Sequence, residues 1–424
     1  MPVLECTDTE GRSGANPTRG RNALNPSQPA AATQHIARNE SASRNPVRDH
    51  HLSVQFTGSG SEYFRIWIVN LLLMLVTLGI YYPWAKVRRL RYFYGSTEID
   101  GAPLDFHGDP KKMLRGYALT GALVGLYSTA GQFSALAGLV AFIVIAALWP
   151  ALFKSSMQFR LANTSWRGLR FRFTGSIAGA YRAMVPLFVP GILILAAVLF
   201  VPDSEQPPPW YLALLGGLAA VMLLAAPWLW WNLKSYQHNH YALAQQQTEL
   251  RSTVGAFYLV FLKTLGVTLL AMAALMGVAM LLGALGAAGL AAPRGGGAIG
   301  AVFIAAAIGA VVGVFVVQLL PRPYFTSRMQ NLLWSRTGNS SMRFRSRLEF
   351  VPLLGLTLKN WLLMLLTLGL YWPFAAVALA RMRLQAVSLT TRVDPDSLIE
   401  RAQAKEGEAA GDAAGDLLGL DIGM

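Results

Sequence analysis

Asn70-Leu71-Leu72-Leu73-Met74-Leu75-Val76-Thr77-Leu78-Gly79-Ile80-Tyr81-Tyr82-Pro83-Trp84-Ala85 returns later in the chain as Asn360-Trp361-Leu362-Leu363-Met364-Leu365-Leu366-Thr367-Leu368-Gly369-Leu370-Tyr371-Trp372-Pro373-Phe374-Ala375. The offset is a constant 290, with the Asn, Thr, Gly, Tyr and Pro in register. A membrane-crossing helix needs about 20 apolar residues at about 1.5 Å each. Ile66 to Pro83 supplies 18 residues without a charge, and Gly116 to Phe153 supplies 38. The second run is too long for one crossing, and Ser128-Thr129-Ala130-Gly131-Gln132 reads as the turn that divides it. Apolar segments therefore fall at about 66–83, 116–130, 133–153, 183–202, 210–233, 257–290, 299–321 and 352–379.

Composition agrees. Of 424 residues, 54% are apolar and 14% charged, against about 45–50% and about 25% in soluble domains. The lone cysteine, Cys6, excludes an intramolecular disulfide and a cysteine-based zinc cage. The sequence predicts an all-α polytopic membrane protein: a helical bundle with internal repeats and small cytoplasmic β-hairpin-like units. Residues 1–52 read as a disordered tail, 53–391 as the integral membrane domain and 392–424 as an acidic tail. The N-terminal stretch has no apolar core of the kind a cleaved secretory signal carries.

The net charge of +14 is unevenly placed. Residues 53 to 391 hold 27 basic and nine acidic side chains, whereas 392 to 424 hold three and eight. Cations concentrated between apolar segments point to loops at an anionic membrane surface rather than to nucleic acid, since no nucleic-acid module accompanies them. Lys86 to Arg115 carries seven basic residues, Lys154 to Arg182 six, and Arg322 to Arg347 six. The positive-inside rule places these loops in the cytoplasm and makes the three middle pairs of segments hairpins.

A second repeat lies in the loops. Thr97 to Gly108 matches Thr164 to Gly175 at an offset of 67, each with an X-Gly centre followed by alternating apolar residues. That is a tight β-hairpin pattern. Thr337 to Ser346 reads as a third copy and Thr248 to Thr253 as a shortened one; Phe56-Thr57-Gly58 matches Phe173-Thr174-Gly175. After Pro83 a helical extension bears Trp84, Lys86, Arg88, Arg89 and Arg91, a collar suited to anionic phospholipid headgroups of the bilayer or simply to fixing orientation.

These residues carry a resemblance. Glu62 to Asn70, Leu78-Gly79-Ile80-Tyr81, Trp84-Ala85-Lys86-Val87-Arg88 and Phe106-His107-Gly108-Asp109-Pro110 resemble the YjgN family of bacterial inner-membrane proteins, over about Phe56 to Leu389. The resemblance implies a multi-pass protein of the bacterial inner membrane. It carries over no catalytic residue.

Constellations for chemistry are sparse. His238 and His240 point about 200° apart on a helix and cannot share a metal; His107 falls in the first hairpin and reads as structural. Gly58-Ser59-Gly60 lacks the strand and third glycine of a dinucleotide site. No Walker motif and no serine nucleophile with a His and Asp set is apparent, so no cofactor, metal or enzymatic activity is expected. What remains are polar groups inside apolar runs: Asn70, Thr77, Lys263, Lys359, Asn360 and Thr367. Such groups face protein or a water-filled cavity; Asn70 and Asn360 share a repeat position and invite a pairing, while a snorkelling side chain accounts for Lys263.

The repeat leaves a conflict of parity. Segments 66–83 and 352–373 are flanked on both sides by stretches that read as cytoplasmic. Re-entrant dips broken at Thr77-Leu78-Gly79 and Thr367-Leu368-Gly369 would resolve it and would mark a transport site. The length of each run favours plain spans. Two functions stay open: a transporter-like or channel-like protein for a small molecule or lipid, and a non-catalytic scaffold whose cationic collar recruits anionic lipid or protein.

Overall fold

The computed structural model describes residues 49–201, 206–290, 319–397, 399–401 and 404. Cys6, almost all of the N-terminal tail, the acidic turn before Pro209, nearly all of the 299–321 segment and most of the acidic tail lie outside the described residues.

The fold is not all-α. Three of the four hairpins expected in the loops are present, but they are not separate units: all strands join one eleven-stranded antiparallel sheet. The strands in chain order are β1 (His50–Phe56), β2 (Thr97–Ile99), β3 (Ala102–Phe106), β4 (Thr164–Trp166), β5 (Leu169–Phe173), β6 (Tyr241–Leu243), β7 (Gln246–Gln247), β8 (Glu249–Leu250), β9 (Thr337–Gly338), β10 (Met342–Ser346) and β11 (Val387–Thr391). In space they follow chain order from β7 back to β1, then β11 back to β8. The two end strands are separated in sequence by Thr248 alone. Asn339 Nδ2 spans the seam, donating to Gln247 O at 3.0 Å and to Gln246 Oε1 at 2.9 Å. The sheet thus nearly closes into a small ring, which removes most of its free edge.

The turns explain the local sequence. Asp100 and Gly101, like Arg167 and Gly168, have positive φ at both centres, as a two-residue hairpin requires. The fourth hairpin is β6–β7, not the 248–253 stretch that the repeat suggested; its left-handed residue is Ala244, φ 51°, so no X-Gly marks it.

Between strands the chain leaves the ring as helical pairs. These are α1 (Gly60–Val76) with α2 (Tyr82–Gly95), α3 (Pro110–Phe133) with α4 (Ala135–Ala162), and α5 (Ile177–Val198) with α6 (Pro209–His238). A fourth excursion begins with α7 (Val254–Leu290) and returns through α8 (Pro321–Arg336); the fifth is α9 (Phe350–Leu366) with α10 (Trp372–Gln385). One backbone bond recurs at the base of all five: Thr57 N to Ser96 O, His107 N to Asn163 O, Thr174 N to His240 O, Arg251 N to Arg336 O, and Arg347 N to Ala386 O, at 2.8–3.0 Å. The chain is therefore a fivefold repeat of strand, helical pair and strand. Because the outgoing and returning strands pair directly (Phe56 with Thr97, Phe106 with Thr164, Phe173 with Tyr241), all five pairs rise from the same rim. The β-turns form the distal rim.

The repeated Phe-Thr-Gly has a packing cause. A Cβ on Gly58 would lie 2.9 Å from the Tyr92 hydroxyl, and one on Gly175 would lie 2.7 Å from that of Tyr236. Those hydroxyls donate to the helix-capping residues of their own units, Tyr92 to Ser59 O at 2.6 Å and Tyr236 to Ser176 O at 2.9 Å. Only glycine leaves room for this stitch.

Inside the ring lies an apolar plug of Leu52, Trp166, Met342 and Leu389, packed by Ile99, Leu104, Phe171 and Phe344 among others. Above the rim the helices pack in a closed circuit from α1 through α10, with α10 against α1. Among the described residues four helices are long and apolar enough to cross a membrane: Ala135–Ala162, Ile177–Val198, Pro209–His238 and Val254–Gly277 of α7.

The first and last pairs differ. The helix ends at Val76, the chain turns through Thr77 to Tyr81, and α2 begins at Tyr82; the same break separates Leu366 from Trp372. At 17 residues α1 and α9 are each about 25 Å long by the rise per residue. The two segments are thus short helical hairpins whose two ends meet at one rim.

Candidate functional site

The break is built by the threonines. Thr77 Oγ1 donates to Leu73 O at 2.7 Å and accepts from Tyr81 N at 3.1 Å; Thr367 Oγ1 donates to Leu363 O at 2.6 Å and accepts from Tyr371 N at 3.0 Å. Each hydroxyl closes the last turn of one helix and holds the start of the next. The next residue, Leu78 or Leu368, has φ 48° and is 93% exposed. A left-handed leucine is strained by about 1–2 kcal/mol, and its side chain projects from the tip beside exposed Val76, Ile80 and Leu370. Gly79 and Gly369, at φ 89°, complete the turn. Thr77 and Thr367 therefore act structurally.

The asparagines differ. Asn70 and Asn360 are both buried, at 6% exposure, and each has an Oδ1 that accepts no hydrogen bond. No hydrogen bond joins the two: they lie in separate hairpins, which meet through the packing of α1 on α10. A buried carbonyl oxygen without a donor costs about 1–3 kcal/mol, so two such atoms at one repeat position are conspicuous.

Lys263 and Lys359 are exposed on α7 and α9. They line no interior with the asparagines, and their long stems suit reaching along an apolar face.

The collar holds together as a unit. Trp84 stacks on Tyr81 with ring centroids 6.0 Å apart, and the Arg88 guanidinium lies 5.7 Å from the same Tyr81 ring. Arg89 lies between Phe93 and Trp372, at 5.7 and 5.2 Å from their centroids. Lys86 donates to the Tyr117 hydroxyl of α3, and Arg91 Nε donates to Phe106 O at 3.3 Å. No carboxylate pairs with any of these cations among the described residues. At the distal rim the opposite holds: Arg167 bonds Asp100 at 3.2 Å and Asp396 at 2.7 Å, and Arg392 lies 3.6 Å from Asp49. Unpaired cations thus gather near the helical rim.

His238 and His240 share no metal site. His238 Nδ1 lies 2.9 Å from Thr337 Oγ1, tying the third unit to the fourth, and His240 Nδ1 lies 2.7 Å from Tyr236 O. No group of metal-ligating residues forms among the described residues. The ring does bring together a serine, a histidine and an aspartate that spacing alone did not connect. Ser165 Oγ is 2.9 Å from His107 Nε2, and Asp105 Oδ2 is 3.7 Å from that same nitrogen. A catalytic triad needs the carboxylate on the opposite ring nitrogen, so this trio is a structural link between β3 and β4. On β6, burial pushes the Tyr241 phenol above its ordinary value, partly offset by Arg160.

Sequence reasoning missed Arg328, Arg347 and Arg381. They line two adjoining cavities of about 450 Å³ each, at the junction of β10 with α9. The offset of 290 already places Arg381 at the repeat position of Arg91.

The comparisons bear on identity. The chain is 30% identical over 155 residues to inner membrane protein YjgN of Salmonella typhimurium, covering 36% of this chain and 39% of that one. It is 28% identical over 169 residues to inner membrane protein YjgN of Escherichia coli strain K12, covering 37% and 39%. The chain thus spans about two fifths of the length of the curated relatives it matches. No solved structure matches. The model of a family described as "Bacterial protein of unknown function (DUF898)" matches residues 51–417. With apolar helices long enough to cross a bilayer and relatives named for the inner membrane, the chain is an inner-membrane protein, and by the match over most of its length it belongs to the DUF898 family.

Proposed function

We propose a transporter-like protein that handles an amphiphile, a lipid with hydrogen-bond donors in its headgroup, at the two short hairpins. The observation that carries this is the pair of buried, unaccepting oxygens of Asn70 and Asn360, one in each broken segment. Broken segments in related halves are the usual builders of transport sites, and an amine or hydroxyl donor reaching either oxygen would satisfy it. The ring and collar face the cytoplasm by the positive-inside rule. The hairpins then dip into the bilayer from that side and return. The test is lipid movement in proteoliposomes carrying a fluorescent phosphatidylethanolamine, read by dithionite quenching. The purified protein should exchange the lipid faster than empty vesicles, and Asn70→Leu with Asn360→Leu should abolish the gain. Wild-type exchange no faster than the blank overturns the proposal.

A second reading rests on the collar. Among the described residues Arg88, Arg89 and Arg91 have no carboxylate partner; Arg88 and Arg89 lie against aromatic rings and Arg91 donates to the Phe106 carbonyl. A scaffold that gathers anionic lipid uses such an arrangement. It expects no lipid movement by the wild type, and loss of anionic-lipid enrichment around the protein on charge reversal at these three arginines.

A further inference from the structure

Two cavities of about 450 Å³ each adjoin at the β10–α9 junction and share Arg347, Leu348, Glu349 and Pro352 in their walls. Each falls in the size range of small-molecule sites, about 300–1,000 Å³. Arg381 lines the first, with Leu356 and Met382; Arg328 lines the second, with Phe350 and Val351. The walls of the combined groove mix arginines with apolar side chains.

The three arginines are the telling feature. None makes an ion pair with a carboxylate among the described residues, although Glu349 lines both cavities. Arg328 lies 5.3 Å from the Tyr324 ring, and Arg381 spends one nitrogen on Gly58 O at 2.8 Å, leaving the rest of its fork free. Guanidinium groups that no carboxylate engages favour a phosphate or carboxylate guest, which they bind in a bidentate fashion. The groove lies where the strand hands over to an apolar helix, the level at which a headgroup meets its acyl chains.

We propose that this groove binds one anionic phospholipid. Its phosphate is held by Arg328, Arg347 and Arg381, and its chains run along Leu348, Pro352, Leu356 and Met382. The site belongs to the fourth and fifth units and uses neither Asn70 nor Asn360, so it stands or falls apart from the transport reading.

The test uses the full chain in detergent, titrated with dioleoyl phosphatidylglycerol and followed by native mass spectrometry. Parallel titrations use dioleoyl phosphatidylcholine and inorganic phosphate. The wild type should retain one phosphatidylglycerol at least tenfold more tightly than phosphatidylcholine. Arg328→Ala with Arg347→Ala should erase that preference; neither side chain makes a hydrogen bond among the described residues, so the ring should remain intact. Arg347→Lys should recover part of it, and Arg88→Ala with Arg89→Ala should leave it unchanged. Equal binding of the two lipids, or full retention by the double variant, overturns the proposal. Phosphate binding as tight as phosphatidylglycerol binding overturns it too, by assigning the site to a free anion.

Discussion

The amide of Thr57 donates to the carbonyl of Ser96 at 2.9 Å, closing the base of the first helical hairpin. The 38 residues between them leave the ring and come back to it. This bond places the flanks of the hairpin side by side, the arrangement that a re-entrant dip needs.

Topology follows from that closure. In spheroplasts a membrane-impermeant maleimide should react with native Cys6 only after lysis. In a Cys6→Ser background, Gln245→Cys at the distal rim should behave the same way. Leu78→Cys, at the hairpin tip, should stay unlabelled in intact and lysed spheroplasts alike. Labelling of Leu78→Cys from the outside would mean a full crossing.

Strain at the tip gives a second expectation. Leu78 and Leu368 hold φ 48° with almost no packing. Glycine adopts this conformation without the Cβ penalty. Relief of about 1–2 kcal/mol of left-handed strain exceeds the about 0.4–1 kcal/mol that glycine costs through the unfolded chain, so Leu78→Gly should raise the midpoint of thermal unfolding of the detergent-solubilised protein, by the equivalent of about 1 kcal/mol at most. Thr77→Val should lower it, by about 1 kcal/mol, through loss of the two bonds of its hydroxyl.

The asparagines should show the opposite trade. An unsatisfied buried acceptor destabilises, so Asn70→Leu should raise the unfolding midpoint by an amount equivalent to about 1 kcal/mol. A midpoint that falls by a similar amount would show that Asn70 makes a stabilising contact instead.

Trp166 is the keystone of the ring. Its indole is 5% exposed and donates to Ile99 O at 3.2 Å. Trp166→Ala should cost about 3–5 kcal/mol and leave little monodisperse protein by size-exclusion chromatography. Trp166→Phe, which keeps the plug and loses the bond, should fold with a lower midpoint.

Arg167 binds Asp100 from the neighbouring turn and Asp396 beyond the last strand. Both pairs are partly exposed, so Arg167→Ala should change stability by less than about 1 kcal/mol. It should nonetheless speed proteolytic cleavage just after Val393, read by mass spectrometry. Added salt should have the same effect on the wild type.

Much of this architecture is written in the sequence. The offset of 67 exposed two hairpins because Asp100-Gly101 and Arg167-Gly168 carry the glycine that a primed turn demands. The β6–β7 turn escaped notice because Ala244 takes the left-handed position with no such mark. What sequence could not supply was how the strands associate. Segments of two to seven residues lie up to hundreds of positions apart, as with His50 opposite Thr391, and pairing across that distance leaves no local pattern. The same limit governed the site. Asn70 and Asn360 stood out as polar residues in apolar runs, whereas Arg328, Arg347 and Arg381 converge only once β10, α8, α9 and α10 are in place.

The position of β11 has a consequence for biogenesis. It lies between β1 and β10, so the ring is joined through the strand made last. While the earlier units emerge from the ribosome and enter the bilayer, β1 keeps one row of backbone groups open. Premature termination before Val387 leaves that edge available to other nascent chains. The natural expectation is a translation product that quality control removes whenever the 38 residues from Val387 to Met424 are missing, however well its helices have inserted.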